Sequence, residues 1–447
     1  MHQQSLLDTA GRLQETVAYR ASANTPGNRV MDLSYCCSPQ VPGQGCPTAS
    51  GTKDSNKRQY STDNLTGAVT SYKYDQGGRL LSAITLGGPR PGTFSYCYDD
   101  SGNRTYEATT AADCNQVGVG TGKTIAPTHT YNTVNQLTSD NAGYDVNGNQ
   151  TTPTPLTPTS YNNLDQYTAD GSNTYGGSTN NERLTTASTT IANGITGILS
   201  TKTGTAAPTY YERTPSGGLI AERGAGGEFY YVTDGNGSTV ALVDTTGTVQ
   251  ATYTYDPAGQ TTTTGGPNPA IAGGNPYRYA GGYTDTTTGL IKFGARYYYP
   301  TLGRWTQLDA LTSLLDFTNG NRYAYAGDDP INGADPNGLD TVDDTVGGFS
   351  SLGSYVAVAG DVTLNPEIGV PAGIFSVGAT VIKTGYNCTG NGDQNCAQDI
   401  GNLVVGSATL GTGAAASKAG ALAATGVSDA TAFGLDQAQN LYNYFTK

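Results

Sequence analysis

The stretch YKYDQGGRL, residues 72–80, carries the pattern that decides the fold. Asp75 is expected to cap a tight turn through its side chain, and Gly78 to supply the positive φ angle that short hairpins require. Tyr72 and Tyr74 occupy alternate positions on the strand before the turn. Their rings should therefore share one face of a sheet and stack as ladders with neighbouring tyrosines.

The same pattern recurs along much of the chain. Because a single hairpin is marginal, the copies are expected to join edge to edge into one continuous sheet, which must twist and curl. The sequence thus predicts an all-β fold for residues 1–270. Clear copies are YCYDDSGNR at 96–104 and YTYDPAGQ at 253–260, and weaker copies lie at 8–13, 131–137, 144–149, 161–167, 175–184 and 231–243.

The composition agrees with this fold class and restricts the function. The 447 residues include 62 Gly and 31 Tyr, with only 13% charged residues, which is neither a helical-bundle nor a coiled-coil composition. A net charge of −13 disfavours nucleic acid as a surface ligand and suits a secreted or surface protein. The chain opens inside a repeat and without a signal peptide, so we expect the export signal to lie upstream or to be missing, as in a C-terminal piece or a truncated gene.

A second stretch, residues 277–339, is denser in aromatic and turn-forming residues. It contains the single tryptophan, Trp305, and ends in DPNGL at 335–339. From Asp340 onward Gly, Ala, Ser and Val dominate, and no clean apolar run reaches 18 residues, which disfavours a transmembrane helix. We therefore divide the chain into repeats at 1–270, a core segment at 271–339 and a small, weakly helical Gly/Ala-rich region at 340–447, for which a membrane-active segment is the alternative.

This second stretch resembles the Rhs repeat-associated core of bacterial Rhs/YD-repeat proteins, a polymorphic toxin family related to the teneurin YD shell and to toxin-complex C subunits. One departure is that the family usually has Asp-Pro-x-Gly where this chain has Asp309 followed by Ala-Leu-Thr, and the spacer to Asn321 is longer. The matching positions are Tyr279-Ala280-Gly281, Thr288-Gly289-Leu290, Ala295-Arg296-Tyr297-Tyr298, Pro300, Leu302-Gly303-Arg304-Trp305, Asp309, Asn321, Tyr323-Ala324-Tyr325, Pro330-Ile331-Asn332 and Asp335-Pro336-Asn337-Gly338-Leu339.

The resemblance implies a large hollow β-shell, of which this chain would form part, that encloses its own C-terminal segment and cuts it free. Carried over by position, Asp309 and Asp335 would be the catalytic pair, and the cut would fall between Leu339 and Asp340. Two carboxylates that share a proton can act as acid and base on a peptide bond. Arg304 is expected to hold one of them ionised.

A purely structural interpretation stands beside this one. The sequence DPNG forms a good type I turn by itself, and Asp309 could simply cap a turn. If a second carboxylate is needed, Asp316, Asp328 and Asp329 are alternatives to Asp309. At most, therefore, the sequence supports an autoproteolytic aspartyl-type activity.

Residues 340–447 contain no His, Arg or Trp, so nuclease, deaminase or ADP-ribosyl-transfer chemistry is poorly supported there, and we assign this region no enzymatic activity. Cys388 and Cys396 could form a disulfide in an oxidising compartment or remain two thiols. No cofactor or metal is implied, because the chain has no phosphate-binding glycine loop and no cluster of metal ligands.

The leading functional hypothesis is a secreted or cell-surface Rhs-family protein whose β-shell encapsulates and releases its C-terminal segment in contact-dependent competition. The partners would be that segment and a cognate immunity protein. The alternative is a structural or adhesive surface protein whose Tyr, Asn and Thr side chains bind a cell-surface glycan, although aromatic ladders more often serve packing. A degenerate fragment without either role is a third interpretation.

Overall fold

The computed structural model describes residues 2–8, 12–20, 24–37, 57–152, 159–163, 165–170, 173–177, 183–186, 188–194, 197–214, 217–285, 288–309, 320–338 and 342–343. All of them belong to one unit, Met1–Ala357. The second unit, Val358–Lys447, lies outside the described residues. Of the C-terminal region predicted at 340–447, only Val342 and Asp343 are described, so Cys388 and Cys396 also lie outside the described residues.

The first sheet has eight antiparallel strands, and their order in the sheet is their order in the chain. Each strand therefore pairs with its neighbours in sequence, as expected for joined hairpins. The strands are β1 (His2–Leu7), β2 (Leu13–Tyr19), β3 (Arg29–Cys36), β4 (Tyr60–Asp63), β5 (Ala68–Tyr74), β6 (Leu80–Leu86), β7 (Gly92–Tyr98) and β8 (Arg104–Ala108).

The second sheet has twelve antiparallel strands, again in chain order. The strands are β9 (Thr159–Tyr161), β10 (Tyr167–Asp170), β11 (Asn173–Gly177), β12 (Arg183–Thr186), β13 (Thr189–Gly194), β14 (Gly197–Thr203), β15 (Thr209–Arg213), β16 (Leu219–Gly224), β17 (Gly227–Thr233), β18 (Thr239–Asp244), β19 (Val249–Tyr255) and β20 (Thr261–Gly265).

The core segment adds short elements that pack on these sheets. A six-residue helix, α1, covers Pro269–Gly274 at its start, and 3-10 turns cover Tyr279–Gly281 and Ala326–Asp328. Two further 3-10 turns, Pro26–Asn28 and Cys114–Gln116, lie among the repeats. A four-stranded sheet contains β21 (Tyr283–Thr284), β22 (Ile291–Phe293), β23 (Arg296–Tyr299) and β24 (Arg304–Trp305), and a two-stranded sheet contains β25 (Gly333–Ala334) and β26 (Val342–Asp343).

The turn between β5 and β6 has the chemistry expected from the sequence. The Asp75 carboxylate accepts the backbone N–H of Arg79 at 2.9 Å and its Nε at 2.6 Å. Gly78 has a φ angle of +85°. The prediction of a strand, an Asp-capped turn and a return strand is confirmed here and at the equivalent turns that begin at Asp99, Asp234, Asp244 and Asp256. The turn at Asp145 is capped in the same way but is flanked by a single bridge.

In several copies, the tyrosine before the turn joins one repeat to the preceding one through its hydroxyl. We expected ring stacking to make this connection, but in these copies the hydroxyl donates to a backbone carbonyl at the start of an earlier strand. Such a bond satisfies a polar group at both ends inside the protein. The pairs are Tyr98 with Leu80 at 3.0 Å, Tyr131 with Arg104 at 2.9 Å and Tyr255 with Thr239 at 2.6 Å.

The expectation of one continuous sheet is wrong for the described residues. Between β8 and β9 the repeat copies at 131–137 and 144–149 form only single bridges, Tyr131 with Leu137 and Tyr144 with Gln150. The ladder is therefore interrupted, and the hairpins divide into the eight- and twelve-stranded sheets. The all-β fold class is confirmed.

The core segment connects the repeats. Its aromatic side chains form a buried cluster in which the rings of Tyr298 and Tyr325 lie 4.2 Å apart and those of Trp305 and Tyr325 lie 5.3 Å apart. Its polar groups bond to turns of the repeats. Examples are Tyr298 with the carbonyl of Ala258, Tyr323 with that of Gly148, Asn321 with Asn103, and Asn332 with the N–H of Arg58.

Two further findings concern the cysteines and the helices. A disulfide joins Cys97 to Cys114, a pair that the sequence analysis did not identify. Among the described residues, no helix has the length and apolar character needed to cross a membrane.

We predict that Asp99→Ala destabilises the protein by about 1–2 kcal/mol, because the carboxylate accepts the N–H groups of Ser101 and Asn103 in the turn. The adjacent Asp100 is exposed and provides the matched control, since Asp100→Ala should change little. Urea unfolding of the two variants tests this. Equal effects of the two substitutions would contradict the role given to the capped turn.

Candidate functional site

The two aspartates predicted to be catalytic both contact one buried guanidinium, that of Arg296. Its Nη2 donates to Asp335 Oδ2 at 2.9 Å. Its Nη1 lies 3.0 Å from Asp309 Oδ2, an ion-pair distance without hydrogen-bond geometry. The sequence predicts that Asp309 and Asp335 meet, and the fold brings both to the same cation.

The turn that contains Asp335 is fixed by the hairpin of β22 and β23. The N–H of Ala295 donates to the carbonyl of Asn337 at 2.9 Å, and Arg296 Nε donates to that of Gly338 at 2.5 Å. The two segments approach so closely that a Cβ at Gly294 would lie 2.1 Å from the Asn337 oxygen. Gly294 has a φ angle of +40°, so both the space and the backbone require glycine at this position.

The surroundings of Arg296 compensate for burying its charge. Its guanidinium lies over the ring of Trp305, 4.2 Å from the centroid. The side chains of Arg296 and Asp335 are 6% and 2% exposed, whereas that of Asp309 is 23% exposed. Burial and the Asp335 carboxylate both raise the pKa of Tyr325 far above its usual value, so this hydroxyl stays neutral beside the site. Because Asp309 is the most exposed of the three charged side chains, solvent reaches the site on its side.

Asp309 is held through its backbone. Its N–H donates to the carbonyl of Arg322 at 3.0 Å, and the guanidinium of Arg322 donates to its carbonyl. The departure from the family pattern after Asp309 falls on residues 310–312, which lie outside the described residues. The carboxylate nevertheless reaches Arg296.

Arg304 is placed elsewhere. It donates to the carbonyl of Asn135 at 2.6 Å, and its guanidinium lies over the rings of Tyr131 and Tyr323. The arginine beside both aspartates is Arg296, which the sequence analysis included in the family match but gave no role. The signal that could have identified Arg296 is its place, close to Lys292, in a hairpin rich in apolar residues. An arginine buried in such a hairpin requires carboxylate partners.

The alternative carboxylates lie in other surroundings. Burial raises the pKa of Asp328 to about 7, against the lowering effect of Arg79, Arg104 and Arg304. Asp329 is paired with Lys57. Asp316 and the proposed cut site, Leu339 and Asp340, lie outside the described residues. Within the described ranges, His, Cys, Asp and Glu form no group of three or more that could hold a metal ion.

Comparison with known proteins agrees with the repeat pattern and the core segment. The family model described as Teneurin YD-shell matches residues 188–331, a range that includes Arg296 and Asp309. The recognition of Rhs/YD repeats in this chain is confirmed. The strands of its YD repeats account for both large sheets, and its Rhs core contains the site around Arg296.

Several relatives share part of this Rhs/YD-repeat sequence. The tRNA3(Ser)-specific nuclease WapA of Bacillus spizizenii is 31% identical over 260 residues, which is 54% of this chain and 11% of that protein. The tRNA nuclease WapA of Bacillus subtilis gives the same figures. Salivary gland surface protein 1 of Aedes aegypti is 39% identical over 107 residues, 24% of this chain and 3% of that protein. The chain thus spans about a tenth or less of the length of these relatives.

Solved structures also resemble the chain at low identity. The crystal structure of TcdB2-TccC3-Cdc42 has a TM-score of 0.43 at 17% identity, covering 80% of this chain and 17% of that chain. The crystal structure of TcdB2-TccC3 has a TM-score of 0.43 at 17% identity, covering 75% of this chain and 17% of that one.

We predict that Arg296→Met destabilises the protein by about 3–5 kcal/mol, because it leaves the buried Asp335 carboxylate without its cation. Arg223→Met is the matched control. Arg223 is 57% exposed and pairs with Glu212 and Glu228 at the surface, so its loss should have no measurable effect. Urea unfolding of uncut protein measures both, and a small effect of Arg296→Met would contradict the bridging role.

Lys292, on β22, should make the stability of the folded protein depend on pH. It donates to the carbonyl of Gly294, in the turn that holds Asn337. Burial lowers its pKa to about 7, with a further contribution from the nearby charge of Arg183. Between this value and the ordinary pKa of 10.5, the unfolded chain binds the proton and the folded protein does not, so stability should rise with pH.

We therefore predict that Lys292→Met raises stability at pH 7 and flattens its dependence on pH from 7 to 9. The wild-type slope attributable to Lys292 should approach about 1.4 kcal/mol per pH unit in this window. Lys202→Met, at an exposed position on β14, is the control. Thermal or urea unfolding at several pH values would exclude the assignment if the wild type and Lys292→Met had parallel profiles.

Proposed function

We propose that the Rhs core cuts its own chain between Leu339 and Asp340 and so frees residues 340–447. The observation that supports this is the contact of Arg296 with Asp309, with Asp335 and with the carbonyl of Gly338. That carbonyl lies one residue before the bond to be cut. A single cation thus connects both carboxylates to the backbone that leads into the cut site.

The proposed reaction is hydrolysis by an aspartate pair. One carboxylate removes a proton from a water molecule while the water oxygen attacks the carbonyl carbon of Leu339. The other carboxyl group donates a proton to the departing nitrogen of Asp340. The C–N bond breaks, leaving a carboxylate at Leu339 and an amine at Asp340. Asp309, the more exposed of the two, is positioned to receive water, while Asp335 lies on the turn that leads to the cut.

Arg296 would act as the positioning residue. Two nearby carboxylates repel one another, and a shared guanidinium offsets that repulsion while fixing their orientation. Its bond to the Gly338 carbonyl holds the chain in place during the reaction. The same contacts also favour the structural alternative, in which the turn only closes the core, so cleavage has to be measured directly.

The wider proposal is a secreted or surface protein that encapsulates residues 340–447 and releases them in contact-dependent competition, with an immunity protein as a partner. The disulfide between Cys97 and Cys114 supports an oxidising compartment. The WapA relatives are named as tRNA nucleases. We do not extend that activity here, because residues 340–447 lack the His and Arg residues that most such sites use.

Intact-mass measurement of the purified chain tests the cleavage. We expect a fragment that begins at Asp340 from the wild type and from Asp100→Asn, and only the uncut chain from Asp335→Asn and Asp309→Asn. Arg296→Lys, which keeps the charge but loses the paired donors, should cut at least about tenfold more slowly. An uncut wild type, or a cut Asp335→Asn variant, would favour the structural alternative. Thermal unfolding of each variant separates loss of cutting from loss of folding.

A further inference from the structure

A cavity of about 290 Å³ lies against the second sheet, and Arg296 is not among the residues that line it. Strands β13 to β17 supply most of its wall, and α1 and β21 supply the rest. The volume is at the lower end of the range for small-molecule sites. Gly226 keeps the cavity open, since a Cβ there would lie 2.7 Å from the Ile271 side chain.

Aromatic side chains give the cavity an apolar surface of fixed orientation. Tyr211, Phe229 and Tyr283 line it. Tyr277 packs edge-on behind two of them, with its ring 4.9 Å from that of Tyr211 and 5.7 Å from that of Tyr283. Rings braced in this way offer a flat face for an apolar surface of a ligand.

Threonine hydroxyls from neighbouring strands provide a polar wall. Thr201 and Thr209 are paired across β14 and β15, and Thr201 Oγ1 lies 3.0 Å from the hydroxyl of Tyr211. Thr189 Oγ1 lies 2.7 Å from that of Thr203. All four threonines line the cavity. A hydroxyl both donates and accepts, so this wall matches a ligand that itself carries hydroxyl groups.

Two buried polar groups point to a ligand more specifically. Thr284 is only 8% exposed, and its hydroxyl has no hydrogen-bond partner among the described residues. Glu222 is also 8% exposed and accepts from the hydroxyl of Tyr231 at 2.7 Å through Oε2. Buried polar groups in proteins are normally paired, so both residues have hydrogen-bonding capacity to offer within the cavity.

The charge of the wall narrows the ligand class. Glu222 is the single ionisable carboxylate among the lining residues, and no Lys or Arg lines the cavity in the part of the chain that is described. An anionic ligand would therefore meet a carboxylate without a compensating cation. A neutral ligand with hydroxyl groups and one apolar face fits all the walls.

We propose that this cavity binds a neutral sugar unit, with the C–H face of the ring on Tyr211 and Tyr283 and its hydroxyl groups bonded to Glu222 and Thr284. The threonine wall would contact the remaining hydroxyl groups. This site is separate from the Rhs core aspartates, and its test does not depend on self-cleavage. It gives the glycan-binding alternative a specific place in the fold.

The experiment is saturation-transfer NMR and calorimetry on the full chain with glucose, galactose and N-acetylglucosamine as separate probes, and with tetramethylammonium as a cationic probe. At least one sugar should bind with a dissociation constant on the order of 1 mM. Glu222→Gln and Thr284→Val should each weaken that binding at least tenfold. Glu212→Gln, on the same sheet but outside the cavity, should leave it unchanged.

Folding of the variants can be judged independently. Burial raises the pKa of Glu222, so its ionised form costs stability above the unfolded pKa of about 4.5, and Glu222→Gln should be at least as stable as the wild type at pH 7. A loss of sugar binding in this variant with unchanged thermal stability supports the site. Failure of all three sugars to bind the wild type overturns the proposal, and so does binding of tetramethylammonium alone.

Discussion

The hydrogen bond from the tyrosine of one repeat to a carbonyl of the preceding one is the interaction on which both large sheets depend. Tyr98 and Tyr255 are half-buried, and their hydroxyls donate to the carbonyls of Leu80 and Thr239. A hairpin alone is marginal in water, so each copy needs a connection beyond its own ladder. The Arg79 guanidinium adds a second connection, because it bonds its own turn and the Asp99 carbonyl of the next.

The core segment buries charged side chains and pairs them with one another. Arg296, Asp309 and Asp335 come from three separate segments and meet beneath Trp305. A buried arginine with two carboxylates is weak evidence for stability, because desolvation offsets much of the attraction. Such an arrangement is better explained by the geometry that it imposes, and here that geometry reaches the carbonyl of Gly338.

The two proposed functions depend on different residues. The aspartate site depends on close approach of backbone to backbone at Gly294, where no side chain would fit. The cavity near Glu222 depends on threonines of β13 to β15 and on the rings of Tyr211, Phe229 and Tyr283. The first is the site of the proposed cleavage, and the second is the site of the proposed sugar binding. The disulfide between Cys97 and Cys114 fits either role in an oxidising environment.

The sequence by itself determined the all-β fold and the Asp-capped turns, because these follow from local turn chemistry. The resemblance to the Rhs core pointed to Asp309 and Asp335, which both contact Arg296. It did not reveal the break into two sheets, the hydroxyl connections, the Cys97–Cys114 disulfide or the cavity at Glu222. It also gave the guanidinium role to Arg304, whereas Arg296 contacts the aspartates. These features depend on contacts between residues far apart in the chain, and only tertiary packing decides which arginine, ring or carbonyl lies within reach.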